Sequence, residues 1–166
     1  MSSLAILILT KNEEDNIVDV VENAQKCTHE VLVIDSGSTD KTVELAQAHG
    51  AKVCFRAWTD DFAAQRNFAL EQTTADWVLY LDADERLNDE LIHSVKAVVD
   101  EGKMDCQFSM ERKSVAFGTK FNHGVLKPDH VARMFPRTTV TWVHKVHEHP
   151  ECDLPLRSLP GHIEHY

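Results

Sequence analysis

Trp77-Val78-Leu79-Tyr80-Leu81-Asp82-Ala83-Asp84-Glu85 is the stretch whose reading decides the fold. Five apolar or aromatic residues run without a polar break and give way at once to three carboxylates around one alanine. Such a run reads as a strand buried on both faces, with an acidic carboxyl end. If the extended conformation persists past Leu81, Asp82 and Asp84 point the same way, because strand side chains repeat every two residues. Two carboxylates on one side make a hard-oxygen site suited to Mg²⁺ or Mn²⁺. At this Asp content about one Asp-x-Asp arises by chance, so the position of the motif carries the reading rather than its presence. The plainer alternative is a helix N-terminus decorated with acids.

Upstream, the same grammar repeats. Leu4 to Leu9 is a continuous apolar run, followed by Ile17, Val20, Val21 and Ala24 at helical spacing, with Asn12 and Asp15 as capping candidates. Val31-Leu32-Val33-Ile34 reads as a second buried strand, ending in Asp35-Ser36-Gly37-Ser38-Thr39-Asp40, and Thr42 to His49 as a helix stopped by Gly50. Lys52 to Arg56 is a weaker strand and Asp60 to Thr73 a helix with a modest apolar stripe. After the acidic stretch, Leu91, Ile92, Val95, Val98 and Val99 share a helix face that Gly102 closes. The order βαβαβαβα predicts an α/β domain on a mostly parallel sheet covered by helices. The last third differs: Cys106 to Met110, Val131 to Phe135 and Val140 to Val143 are strand candidates without long helices between them, predicting a short mixed or antiparallel extension. Histidines crowd this part, at 123, 130, 144, 147, 149, 162 and 165.

Composition narrows the function. The chain has 166 residues, enough for one sheet-centred core, and a formal net charge of −10 with no basic run. A surface that tracks nucleic-acid phosphates is excluded on that ground. A phosphorylated ligand is not, provided a cation sits between carboxylates and phosphates. Cys27, Cys54, Cys106 and Cys152 form no C-x-x-C pair, which argues against a disulfide framework and a thiolate zinc site. No transmembrane segment or signal peptide is legible, and the expected compartment is the cytoplasm. In open parallel sheets ligands bind beyond the carboxyl ends of the strands. Strand one delivers Thr10-Lys11-Asn12-Glu13-Glu14 there, strand two Asp35, and strand four Asp82, Asp84 and Glu85.

These residues together resemble the family 2 glycosyltransferases, inverting enzymes of the GT-A fold. The match runs through Leu9-Thr10-Lys11-Asn12-Glu13-Glu14, Val33 to Thr42, Gln65-Arg66-Asn67 and Trp77 to Glu85, in order and spacing. Trp77-Val78, Asp82-Ala83-Asp84-Glu85 and a later Val146-His147-Glu148 look closest to bacterial lipopolysaccharide-core glucosyltransferases. The resemblance implies a sheet with helices on both faces, a nucleotide-sugar-binding half over residues 1–102 and an acceptor-side half over 103–166. Family members continue beyond the matched region, so the acceptor side is expected to be shortened at Tyr166.

It also implies roles. Asp35 would bind the base, usually uracil; Thr10, Lys11 and Glu13 would lie beneath base and ribose; Arg66 would help hold the nucleotide. Asp82 would contact ribose or metal-bound water, and Asp84 would ligate a divalent metal, Mg²⁺ or Mn²⁺, bridging the diphosphate. Read without the resemblance, Asp35 is equally a turn or helix cap and Arg66 a solvated helix face. The metal offsets charge on the departing diphosphate, and the acceptor hydroxyl needs a base. Glu148 is the candidate base, with His147 as a further metal ligand or orienting neighbour. A rival reading places a separate zinc site on His144, His147 and His149, since His147 and His149 would share a strand face. Surface histidines are the plainest reading. The expected partners are a nucleotide-sugar donor, probed as UDP-sugar, and a saccharide or lipid-linked acceptor in cell-envelope polysaccharide or lipopolysaccharide synthesis, with peripheral contact at the inner membrane face. The alternatives are a non-catalytic nucleotide- or metal-binding module on the same scaffold, a phosphoacceptor receiver domain and a nucleotidyltransferase.

Overall fold

A computed structural model describes residues 2–116, 119–120 and 129–166; His123 lies outside the described residues. The chain order is β1 (Leu4–Thr10), α1 (Ile17–Gln25), β2 (Glu30–Asp35), α2 (Thr42–Ala48), β3 (Lys52–Phe55), α3 (Phe62–Glu71), β4 (Trp77–Asp82), β5 (Glu85–Leu87) and α4 (Asp89–Glu101). It continues with β6 (Gln107–Ala116), β7 (Thr119–Lys120), β8 (Asp129–Pro136), a 3-10 turn (Arg137–Thr139), β9 (Thr141–Val143), β10 (His149–Glu151) and β11 (Leu156–His165).

The four strands read from the first eighty residues lie side by side as β3-β2-β1-β4, all parallel. Their apolar runs serve two cores at once, because successive side chains point to opposite faces. Ile6, Ile8, Val31, Val33, Leu79 and Leu81 pack on one side against Ile17, Val20 and Val21 of α1, Ala46 of α2 and Leu91, Ile92 and Val95 of α4. Ala5, Leu7, Leu32, Ile34, Val78 and Tyr80 pack on the other side against Ala63 and Ala69 of α3 and Trp142 of β9. Helices therefore cover both faces. Asn88 caps α4 by accepting from the Leu91 amide at 3.0 Å, and Gly102 ends it in the left-handed region at φ 73°. Asn12 does not cap α1. It takes a left-handed φ of 53° and its side chain accepts from the Thr39 amide at 2.8 Å, tying the loop after β1 to the loop after β2.

The last third is a mixed extension of the same sheet. Beyond β4 the order is β8-β6-β11-β5, with β8 antiparallel to β4, β6 antiparallel to β8, β11 parallel to β6 and β5 antiparallel to β11. Val140 to Val143, expected as part of this extension, instead pairs as β9 with β10 in a separate two-stranded ribbon. Strand β11 was not legible: its register shifts between Ser158 and His162, and Pro160-Gly161 break its pattern. Gly161 has φ 96° and a Cβ there would stand 2.3 Å from the Leu91 amide nitrogen, so only glycine lets β11 approach α4 this closely. No helix among the described residues is long and apolar enough to cross a membrane.

Candidate active site

The loops after β1 and β2 lock together before any ligand is considered. Thr10 Oγ1 donates to Asp35 Oδ2 at 2.8 Å, Ser38 Oγ to the same oxygen at 2.6 Å, and the Gly37 and Ser38 amides to Oδ1 at 2.9 and 2.8 Å. Burial would push the Asp35 carboxyl up, but the Ser38, Gly37 and Thr10 donors outweigh it and hold it below the usual carboxylate range. Lys11 Nζ donates to the Gly37 carbonyl at 2.9 Å. Asp35, only 2% exposed, thus acts as the organiser of the Ser36–Ser38 turn, and Ser36 takes the place beside the ligand space.

At the end of β4 the chain does not stay extended. It turns through Ala83 and Asp84 and re-enters a strand at Glu85, so Asp82 and Asp84 reach the same cleft from either side of a turn, not as alternate residues of one strand face. Glu85 anchors that turn. Fully buried, it accepts from Arg133 at 2.6 and 3.0 Å and from the Asp82 amide at 2.9 Å, with Arg112 Nε 3.1 Å away. Burial pushes its carboxyl up, but Arg133, the Asp82 amide and Arg112 prevail and hold it below the usual range. A depressed folded-state pKa contributes stability that is complete above the unfolded value of about 4.3 and is lost as pH falls through the folded value. Glu85→Gln is expected to cost about 3 kcal/mol, because the buried Arg133 loses its closest counter-charge and keeps only the more distant Asp82 carboxylate at 3.7 Å. Urea unfolding at neutral pH measures this, and the acid branch of the stability curve is expected to flatten in the variant.

Thr10, Lys11, Glu13, Arg66, Asp82, Asp84 and Glu148 line one cleft of about 640 Å³ above these strand ends, together with Leu9, Ser36, Trp58, Phe62, Gln65 and Ala83. Arg66 is its hub. Its side chain is 12% exposed, its Nε donates to Glu148 Oε2 at 3.3 Å and its other end lies 3.7 Å from Asp82 Oδ1. Its guanidinium stacks over Trp142 at 4.7 Å and Tyr80 at 5.5 Å. This is no solvated helix face. Asp82 also lies 3.7 Å from Arg133, so its carboxylate faces two guanidinium groups. Asp84 Oδ2 sits 3.0 Å from His165 Nε2, and the Asp84 carbonyl accepts from the Tyr166 amide.

His147 is not part of the cleft. It lies exposed in the loop between β9 and β10 with a left-handed φ of 56°, so it shares no strand face with His149; the His149 ring packs instead on His144, centroids 5.0 Å apart. Among the described residues no group of three or more His, Cys, Asp and Glu side chains could hold a metal ion, which leaves the zinc reading without a site. What the cleft does offer is Asp84 with His165 beside it. Mg²⁺-type ions are commonly held by one or two protein carboxylates with substrate phosphates and water completing the shell, and the Asp84 carboxylate fits that pattern, with the His165 imidazole as its hydrogen-bonding neighbour.

Sequence reasoning missed Ser36, Trp58, Phe62, Gln65 and His165 as neighbours of the site. His165 was one histidine among many, and only the pairing of β11 with β5 places it beside Asp84. Trp58 stands in the connector into α3 and Phe62 opens that helix, where no periodicity marks which way a side chain faces.

The architecture has known relatives. The chain is 39% identical over 98 residues to an uncharacterized glycosyltransferase of Rickettsia typhi, covering 59% of this chain and 33% of that protein. It is 35% identical over 106 residues to the lipopolysaccharide core biosynthesis glycosyltransferase LpsC of Rhizobium meliloti, covering 59% and 38%. The chain thus spans about a third of the length of these curated relatives. Among solved structures it is similar to S. aureus TarS, crystallised with UDP-GlcNAc, at 26% identity and a TM-score of 0.60 over 74% of this chain and 36% of that one. The family model described as glycosyl transferase family 2 matches residues 5–144, from the second residue of β1 to the residue after β9, and the chain belongs to that family.

Proposed function

We propose that the chain binds a nucleoside-diphosphate sugar, a UDP-sugar, in the 640 Å³ cleft and transfers the sugar to an acceptor hydroxyl with inversion. The observation that carries this is convergence: four separate segments, ending β1, opening α3, ending β4 and closing the β9–β10 loop, bring Thr10, Lys11, Glu13, Arg66, Asp82, Asp84 and Glu148 to one wall-to-wall site. TarS, of similar fold, has been crystallised with UDP and with UDP-GlcNAc. Residues up to 102 hold the donor and residues 103–166 face the acceptor.

In this reading Thr10, Lys11, Glu13 and Ser36 lie under the base and ribose. Asp35 shapes their floor, and its Oδ2 meets the base where the rotatable Thr10 and Ser38 hydroxyls give way. Asp82 holds the ribose, and Arg66 holds Asp82 and Glu148 in place while adding positive charge beside the phosphates. Asp84, oriented by His165, would hold a divalent cation, Mg²⁺ or Mn²⁺, which would supply positive charge against the departing diphosphate. Glu148 is the base: Arg66 fixes Oε2, and among the described residues no donor reaches Oε1. The acceptor oxygen forms the bond to the anomeric carbon as the bond from that carbon to the diphosphate oxygen breaks. The hydroxyl proton passes to Glu148 and UDP leaves. One displacement at one carbon inverts its configuration, and no covalent nucleophile is needed.

The acceptor class is a saccharide or lipid-linked saccharide of the cell envelope, met at the cytoplasmic face of the membrane. The support is that one relative is named for lipopolysaccharide core biosynthesis. Thermal-shift screening of nucleotide sugars with and without Mn²⁺, followed by acceptor-dependent UDP release, tests the proposal. Stabilisation by a UDP-sugar at 100 times its Kd is expected to reach about 2.7 kcal/mol. Binding with no acceptor-dependent release across saccharide and lipid-linked panels would leave a nucleotide-binding module and defeat the transfer step.

A further inference from the structure

We infer that Trp58 and Phe62 form an aromatic corner that takes the nucleobase of the donor. The inference rests on the donor-binding reading above and adds the element that reading lacks, an apolar face for the flat part of the ligand.

Most side chains lining the cleft are polar or charged, and these two are its aromatic rings. Trp58 is 39% exposed and Phe62 47%, although both line the cleft. Exposed aromatic surface of this size is unfavourable in water unless a ligand covers it. The rings are also held in place. Their centroids are 4.7 Å apart with planes at 65°, an edge-to-face contact that leaves one broad face open. The Trp58 indole N–H donates to Asp60 Oδ1 at 2.9 Å, and Asp60 sits at a left-handed φ of 59°. A non-glycine residue in that region marks a backbone fixed by its surroundings, and here its side chain fixes the tryptophan. Gln65, one turn along from Phe62, is 1% exposed, and its side chain is tied to Arg56 by a 2.7 Å hydrogen bond, so the wall beside the rings is rigid as well.

Position selects the base over the sugar. The carboxyl ends run β4, β1, β2, β3 across the sheet, and Asp82 and Asp84 sit at β4 while Trp58 follows β3. Three strand spacings, about 14 Å, separate the two ends. A nucleoside diphosphate is extended, with phosphates at one end and the base at the other. With its phosphates at the acidic turn and its ribose over Thr10 and Lys11, the base reaches the end of β2, where its edge meets the Asp35–Ser36 floor and its face meets the aromatic corner. Stacking needs only a π-face, and it brings no requirement for metal.

The test uses a property of this chain. Of its three tryptophans, Trp58 alone lines the cleft; Trp77 is fully buried, and the Trp58→Phe variant separates its signal from that of Trp142, which lies 6% exposed beneath Arg66. Intrinsic fluorescence is titrated with uridine, UDP, ribose 5-phosphate and a panel of mono- and disaccharides, with UDP affinity measured in parallel by calorimetry with and without Mn²⁺. Uridine and UDP are expected to quench the wild-type emission and ribose 5-phosphate is not. Trp58→Phe is expected to lose the quench while keeping UDP affinity within about threefold, and Trp58→Ala to weaken UDP about tenfold or more by the same factor with and without Mn²⁺. The melting temperature of free Trp58→Ala, expected to match wild type, is the folding control. Unchanged UDP affinity in Trp58→Ala overturns the stacking while leaving the donor reading intact. Quenching by saccharides instead of uridine overturns it in favour of a carbohydrate platform. A wild-type chain that binds no UDP with Mn²⁺ removes the donor reading and this inference with it.

Discussion

Asp84→Ala is expected to abolish the Mn²⁺-dependent part of UDP-sugar binding while leaving the fold intact. Asp84 supplies the cleft with a carboxylate whose only described side-chain partner is His165, at 3.0 Å. Its backbone carbonyl, which receives the Tyr166 amide, survives the substitution. The side chain is 40% exposed, so little packing is lost with it. Loss of a direct cation ligand exceeds the 10–100-fold cost typical of removing an outer partner, and a fall of more than about hundredfold in Mn²⁺ affinity is expected. Calorimetry with Mn²⁺ and UDP-sugar reads it, with the melting temperature of the free protein as the folding control. Binding that still responds to Mn²⁺ in Asp84→Ala would remove this residue from the metal site.

Glu148→Gln separates binding from chemistry. The amide oxygen still accepts from Arg66, so the guanidinium keeps its place between Glu148 and Asp82 and the donor affinity is expected to hold. What disappears is the group able to take the acceptor proton. General-base catalysis contributes about 10²–10⁴-fold, so kcat is expected to fall by at least about a hundredfold at nearly unchanged KM for the donor. Steady-state release of UDP at saturating donor measures it. Turnover within a few fold of wild type would exclude Glu148 as the base and shift attention to other groups facing the cleft.

Much of this molecule can be read in its first hundred residues. Continuous apolar runs at Leu4, Val31 and Trp77 admit little besides buried parallel strands, and the polar residues after them fall where such sheets bind ligands. The pattern weakens where the chain stops alternating strand with helix. Leu156–His165 carries two charged residues, a serine and a histidine before His165, a proline and a glycine, and reads as a loop; its strand character comes from β6 and β5 on its flanks, which are tertiary facts. Asp35 shows a subtler limit. Sequence marks it as special, but ligand contact and turn organisation call for the same residue type, and only the four donors converging on its oxygens show what it does in the free protein. Glu85 was visible as one more acid after Asp84. Its burial against Arg112 and Arg133 depends on two strands that lie 27 and 48 residues further on, a separation no local pattern encodes.

The pairing of β5 with β11 bears on how the site comes into being. Glu85, Arg86 and Leu87 align with His165, Glu164 and Ile163, so the turn that presents Asp82 and Asp84 is clamped by a strand far along the sequence from it. Contacts of such sequence separation carry a large loop-closure penalty and form slowly. The parallel half can gather from neighbouring βα units, whereas the acidic turn acquires its final shape only when β11 closes on β5. Maturation of the binding cleft is then a late, cooperative step, and partial opening at the β5–β11 seam would disarm it well before the main core melts.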